Sequence, residues 1–139
     1  MKNFFSSKSP ATYNTALLAL RLGMGALMTY HGYEKIINFN DEENGSMNFI
    51  GLGSTISQIL VMVVELGGGI LVLVGLGTRL AASVVSAWLL FILARSFDFD
   101  VAGSGEKIAL LLIGFITLAI GGAGKYSLDN TIENKLSNK

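Results

Sequence analysis

A long apolar run with one charge near its centre constrains this chain more than any other feature. Residues 56–76 are twenty-one consecutive positions whose single charged side chain is Glu65. About twenty apolar residues, at about 1.5 Å each, cross the ~30 Å hydrocarbon core of a bilayer. A surface helix of a soluble domain would instead carry one polar face. The run therefore predicts a membrane-spanning helix. A carboxylate at its midpoint costs about 3 kcal/mol, so we expect it to face a partner or a wet cavity.

Composition also favours a membrane protein and excludes several classes of function. Only 14% of the 139 residues are charged, against about 25% in soluble domains. The absence of cysteine excludes disulfides, thiol catalysis and iron–sulfur ligation by this chain. A single histidine, His31, cannot form a multi-histidine metal site, so we expect no metal. The formal net charge is zero and no basic block is present, so no nucleic-acid partner is expected.

Three further apolar segments accompany the central run. The expected helices cover residues 11–31, 56–76, 80–95 and 106–121 of a single domain, 1–139, with flexible tails at 1–10 and 130–139. The polar turn at 75–79 is short enough to make the second and third helices antiparallel neighbours. The predicted fold class is an all-α membrane protein, an antiparallel four-transmembrane-helix bundle.

The distribution of basic residues predicts the orientation of that bundle. Four spans place both termini on one side of the membrane. Six basic residues fall on that side (Lys2, Lys8, Arg79, Lys125, Lys135 and Lys139) and three on the other (Lys35, Arg95 and Lys107). Because basic loops stay in the cytoplasm, both termini are predicted to be cytoplasmic.

Two charges inside the spans, Arg21 and Glu65, lie at the same predicted depth. Each is about ten residues, or ~15 Å, inward from the outer end of its helix. The sequence therefore predicts a buried Arg21–Glu65 ion pair. Two interpretations stay open: the pair fixes the register of two helices, or it lines a cavity that binds a small molecule or handles protons.

Small residues recur on the helix faces expected to turn inward. Glycines permit close approach of backbones inside a membrane, where helices have no hydrophobic drive to associate. The glycines expected to pack helices together are Gly25, Gly67, Gly68, Gly69 and Gly121.

A second group of ionisable residues closes the outer ends of the helices. His31 is either a histidine whose hydrogen bonds are met within the protein or a group that exchanges protons with a ligand. The second role is open to it because histidine side chains ordinarily titrate near neutral pH. Arg95 and Glu106 are candidates for the same ligand site or for a simple pair across the loop. For Lys35 the expectation is ordinary snorkelling to the membrane surface. Trp88 lies within a span, either facing lipid or covering the cavity.

An ordered set of short motifs extends over most of the chain. The motifs are residues 21–25 (RLGMG), 31–35 (HGYEK), 65–68 (ELGG), 75–81 (GLGTRLA) and 122–129 (GAGKYSLD). Between the last two motifs, Glu106 stands at the start of the last span. In this order they resemble the DoxX family of small four-helix membrane proteins, which is related to the membrane subunit of a thiosulfate:quinone oxidoreductase. The resemblance implies an integral protein of the bacterial cytoplasmic (inner) membrane that is associated with redox chemistry.

Two functions are compatible with this resemblance. The first is a redox-associated subunit that binds a quinone or similar small amphipathic ligand within the bundle near the Arg21–Glu65 pair. The second is a non-catalytic module that assembles or stabilises a partner complex, or a homo-oligomer, through its glycine-rich faces. The chain carries no flavin, nicotinamide or metal motif and no self-contained catalytic motif, so catalysis would need a membrane or redox partner.

Overall fold

The structure, a computed structural model, describes residues 10–39, 51, 53–95 and 104–138. The side chains of Arg95 and Ser104 and residues 1–9 of the expected tail at 1–10 lie outside this description, and Pro10 begins the first helix. Within the described ranges the chain is all-helical and contains no strand, which confirms the predicted class of secondary structure.

Five helices make up the described chain. Helix α1 is Pro10–Ile37, α2 is Ser54–Val74, α3 is Thr78–Arg95, α4 is Ser104–Gly121 and α5 is Leu128–Ser137. Helix α2 is α-helical at both ends and has a π-helical turn, Val63–Gly67, in between. A π turn adds one residue to the α-helical spiral, and such turns are frequent at functional sites.

Among the described helices, Ser54–Val74 is long and apolar enough to cross a membrane, judged by length and composition. Only 28% of the most apolar stretch of this helix is buried inside the protein, whereas the core helix of a soluble protein would be mostly buried. Helix α3 contains a shorter apolar stretch, Thr78–Ala94. The expectation of four membrane spans in one bundle stays a prediction.

Glycines set the contact between α1 and α2. A Cβ added to Gly25 would lie 2.8 Å from the backbone nitrogen of Leu73, and one added to Gly32 would lie 2.5 Å from that of Leu66. Positions therefore rise along α1 while they fall along α2, so the two helices are antiparallel. No side chain larger than hydrogen fits at either glycine without moving a backbone.

The hydrophobic core joins the first four helices. Phe115, Leu118, Val72 and Val85 are fully buried in it, and Met28 of α1 packs with them. Helix α5 has no buried residue and stands outside this core.

Two helix ends differ from the sequence-based boundaries. Helix α1 continues six residues past the expected end at position 31, to Ile37, because the polar residues that leave a membrane span need not leave the helix. The expected flexible tail from position 130 is instead helical up to Ser137. Ser127 caps this last helix, since its hydroxyl oxygen accepts a hydrogen bond from the backbone nitrogen of Asn130 at 3.2 Å.

Candidate functional site

Glu65 is buried in the π-helical turn of α2, where only 3% of its surface is exposed. Both of its carboxylate oxygens have partners from other helices. The ammonium of Lys35 donates to Oε2 at 2.8 Å, and the indole nitrogen of Trp88 donates to Oε1 at 3.2 Å. We call these three residues the Glu65 site. It joins α1, α2 and α3 through one carboxylate.

The local sequence explains why Lys35 reaches Glu65. Gly32 lies one turn before Lys35 and brings α1 against the backbone of Leu66, the residue after Glu65. Lys35 also lies in the last turn of α1, where a positive charge is favoured by the helix dipole. The side chain of Lys35 is 32% exposed, so the lysine end of the ion pair is open to the surroundings of the protein while the Glu65 end is buried.

An aromatic wall borders the Glu65 site on α3. The rings of Trp88 and Phe91 stack with centroids 5.8 Å apart and planes inclined by 27°. The indole therefore presents one polar edge to Glu65 and a flat face to its neighbour. This arrangement places the two hydrogen-bond donors of the Glu65 site beside an aromatic surface.

The predicted Arg21–Glu65 pair is wrong. Arg21 is buried, with 4% of its surface exposed, but its guanidinium donates to two backbone oxygens near the C-terminus, those of Ala123 at 2.8 Å and Tyr126 at 2.7 Å. A Cβ added to Gly75 would lie 2.6 Å from the same guanidinium. Because Gly75 is ten residues from Glu65 along α2, the two charges are separated by about 15 Å of helix.

The predicted pairing differs from the observed one because α1 does not end near position 31. With α1 extended to Ile37, the residue that faces Glu65 is Lys35, and Arg21 faces the opposite end of α2. One helical stripe contains Arg21, Gly25, Gly32 and Lys35, at successive spacings of four, seven and three residues. The signal for Lys35 was therefore present in the sequence, on the stripe that Arg21 begins.

The C-terminal segment closes the end of the protein where Arg21 lies. The carboxylate of Asp129 accepts hydrogen bonds from the backbone nitrogens of Gly77 at 2.7 Å and Thr78 at 3.0 Å. These are unpaired donors at the start of α3, so Asp129 acts as their cap from a different helix. A cleft of 640 Å³ opens here, lined by residues of α3, of the α4–α5 turn and of α5, among them Arg79 and Glu133.

The other predicted site residues do not join the Glu65 site in the described contacts. His31 contacts its own helix, with Nδ1 at 3.7 Å from Glu34 Oε2, and both side chains are nearly half exposed. The hydroxyl of Tyr30 also donates to Glu34, at 3.2 Å. Glu106 is exposed in the first turn of α4. The side chain of Arg95 lies outside the described part, so its pairing with Glu106 stays a prediction.

The glycines expected at helix contacts differ in their surroundings. Gly25 and Gly69 lie between α1 and α2, and Gly68 faces Val85 of α3. Gly121 lies against Leu17 of α1. A Cβ at Gly67 would meet nothing within 4 Å. Across the described ranges, no group of three or more His, Cys, Asp or Glu side chains could hold a metal ion.

The described part of the chain is all-helical and contains one helix of membrane-spanning length, in which a carboxylate is buried, as in a small helical membrane protein. The DoxX family model matches residues 16–97, more than half of the chain. The chain therefore belongs to the DoxX family, a membrane family, and the resemblance in its motifs is confirmed.

One relative extends the similarity beyond that region. A protein of Haemophilus influenzae, described as uncharacterized, is 29% identical over 126 residues, which cover 86% of this chain and 92% of that protein. No solved structure matches the chain.

Proposed function

We propose that the protein is a redox-associated membrane subunit that binds a quinone or similar small amphipathic ligand at the Glu65 site. The observation that carries the proposal is the pairing of a buried carboxylate with an ammonium and an indole from two other helices. Ionisable groups inside a membrane protein are rare and commonly mark ligand or proton paths. The position of Glu65 on a π-helical turn supports the same proposal.

The proposed orientation in the membrane has helices α1 to α4 as four antiparallel spans in a bacterial inner membrane. Large apolar side chains on these helices are exposed, among them Leu27, Val63, Leu90 and Ile113, and lipid would cover them. Arg79 lies beside Gly122, at the end where α5 begins, so this end carries Arg79 and Lys125. The positive-inside rule assigns this end, and both termini, to the cytoplasm.

The chemistry of the three side chains suits a ligand with carbonyl oxygens. Lys35 has three N–H donors, and one of them binds Glu65 in the described structure. Its partly exposed ammonium leaves donors for a quinone oxygen. The stacked rings of Trp88 and Phe91 offer an apolar wall for a flat ring.

The role proposed for this chain is to bind and orient the ligand. Quinone reduction needs two electrons and two protons, and the electrons would come from a partner protein with a redox centre. Lys35 is the group placed to hydrogen-bond the oxygen that gains a proton. Arg21 has no part in this proposal, because its donors bind backbone oxygens at the other end of the protein.

The alternative, a non-catalytic assembly module, makes different use of the glycine-rich faces. It expects a partner seam along residues 67–69 or 121–124. In the structure Gly68 and Gly69 face the chain's own α3 and α1, and Gly67 is the one of the three with free space around it. A Cβ at Gly121, Gly122 or Gly124 would likewise contact side chains of the same chain, so a seam at 67–69 would be limited to the side of Gly67.

Native mass spectrometry of the protein released directly from its own membranes tests the proposal. We expect a bound amphipathic mass on the wild type that is at least tenfold depleted in Glu65→Gln. The control Glu133→Gln changes an exposed carboxylate of α5 and should keep the ligand. A stoichiometric protein partner without a small ligand, in wild type and both variants, would refute the proposal in favour of the assembly module.

A further inference from the structure

Helix α5 carries an apolar stripe that nothing in the described protein covers. Leu128, Ile132 and Leu136 follow one another at intervals of four residues and therefore lie on one face of the helix. All three are exposed, and Leu136 has 71% of its surface open. A ten-residue helix with three exposed aliphatic side chains on one face is amphipathic rather than merely polar.

The helix is held in a fixed place beside the end of the bundle. Its first turn is tied to the turn between α2 and α3, since the backbone nitrogen of Asp129 donates to Gly75 O at 3.0 Å and its carboxylate caps α3. Arg21 holds the preceding segment through the backbone oxygen of Tyr126. The stripe therefore has a defined position and does not belong to a loose tail.

The surface next to this helix is also apolar and open. Leu80 begins α3 and Ile120 ends α4, and each has 74% of its surface exposed. Both lie at the end of the bundle to which α5 is tied. In a protein of a membrane family, such side chains face lipid, so the lipid-facing surface reaches the level at which α5 starts.

We propose that α5 lies along the cytoplasmic surface of the membrane, with Leu128, Ile132 and Leu136 inserted among the lipids. This inference rests on the proposed membrane placement of α1 to α4. Amphipathic helices bind membranes in this way, with the apolar face below the headgroups. Tyr126, half exposed just before the helix, lies at the level where aromatic side chains commonly meet headgroups.

Two features favour a lipid surface over a protein partner. The charges near the stripe are of both signs, with Arg79, Lys125 and Lys135 beside Asp129 and Glu133, so no electrostatic complement is specified. Three aliphatic side chains also fall short of the roughly 800 Å² that each partner contributes to a stable protein interface. A fluid apolar surface has no such minimum and adds favourable burial for each inserted side chain.

Single-cysteine labelling tests the proposal, because the chain contains no cysteine of its own. The full chain is reconstituted, one copy per disc, in phosphatidylcholine nanodiscs containing lipids brominated close to the headgroup. An environment-sensitive fluorophore is attached in turn to Ile132→Cys, Leu136→Cys and Asn134→Cys. We expect quenching at positions 132 and 136 to be at least threefold stronger than at 134, which lies on another face of the helix.

Equal quenching at the three positions would overturn the proposal. A fluorescence change at 132 and 136 that needs two copies per disc would overturn it as well, in favour of a second copy of the chain. Val63→Cys, labelled near the middle of α2 where the side chain is exposed, tests the membrane placement of the bundle separately. If a label at 63 is quenched by lipids brominated deep in the acyl chain while 132 and 136 are not, only the placement of α5 fails. If 63 is also unquenched, the membrane placement of the bundle fails with it.

Discussion

Breaking the contact between Lys35 and Glu65 should destabilise the protein, and removing both charges should recover much of the loss. Lys35→Met leaves the Glu65 carboxylate buried, with the Trp88 indole as its one remaining partner among the described residues. Glu65→Gln keeps an acceptor for the indole but removes the charge that Lys35 binds. The double variant has neither an unpaired buried carboxylate nor a lysine without its partner.

The structure sets the size of this effect. Removing one member of a fully buried pair costs about 3–5 kcal/mol, and a hydrogen bond to a charged group contributes about 1.5–3 kcal/mol. Because Lys35 is one-third exposed and part of its charge stays solvated, we expect the lower range. Lys35→Met should therefore cost about 2–3 kcal/mol. The coupling free energy between the two substitutions should be about 1–2 kcal/mol.

A double-mutant cycle measures this coupling directly. The free energy of unfolding is determined in mixed micelles for wild type, Lys35→Met, Glu65→Gln and the double variant. The matched control is a cycle between Arg21→Met and Glu65→Gln, which should be additive within about 0.5 kcal/mol because the two sites are distant. A coupling below about 0.5 kcal/mol for Lys35, or a larger coupling for Arg21, would refute the assigned pairing.

Three further predictions concern the packing and the C-terminal closure. Gly32→Ala should lower the free energy of unfolding by about 1–3 kcal/mol, since its Cβ would meet a backbone. Gly23→Ala, with free space around it, should be neutral or slightly stabilising, and equal losses would contradict the packing. Asp129→Ala should cost about 1–2 kcal/mol and speed hydrogen exchange at the start of α3, whereas Glu133→Ala should do neither. Arg21→Met should speed exchange across residues 122–129, because two backbone oxygens lose their donors; unchanged protection there would show that the guanidinium does not hold this segment.

Apolar periodicity made most of the helices predictable. The expected second, third and fourth helices begin two residues after the observed ones, at positions 56, 80 and 106. The last helix was missed because its sequence is short and polar, and its stability depends on caps. Ser127 supplies the cap of this helix within the folded turn, and Asp129 anchors its first turn to the start of α3, which is distant in sequence.

The candidate site was only half predictable. Glu65 stands out in any apolar run, so the sequence identified it without a structure. Its partners depend on how far α1 continues and on the rotation of α3, which local patterns do not determine. The five-residue π turn at Val63–Gly67 also shifts the faces of α2 relative to each other, so α-helical spacing counted through Glu65 misaligns one half of the helix.

Fluorescence of Trp88 tests the proposed ligand site most directly, because it is the single tryptophan of the chain and donates to Glu65. The protein in nanodiscs is titrated with a short-chain ubiquinone analogue. We predict saturable quenching whose apparent Kd rises at least tenfold in Lys35→Met and stays unchanged in Lys107→Met, an exposed lysine at the start of α4. Quenching that rises linearly with quinone, or that is identical in wild type and both variants, would contradict binding at the Glu65 site.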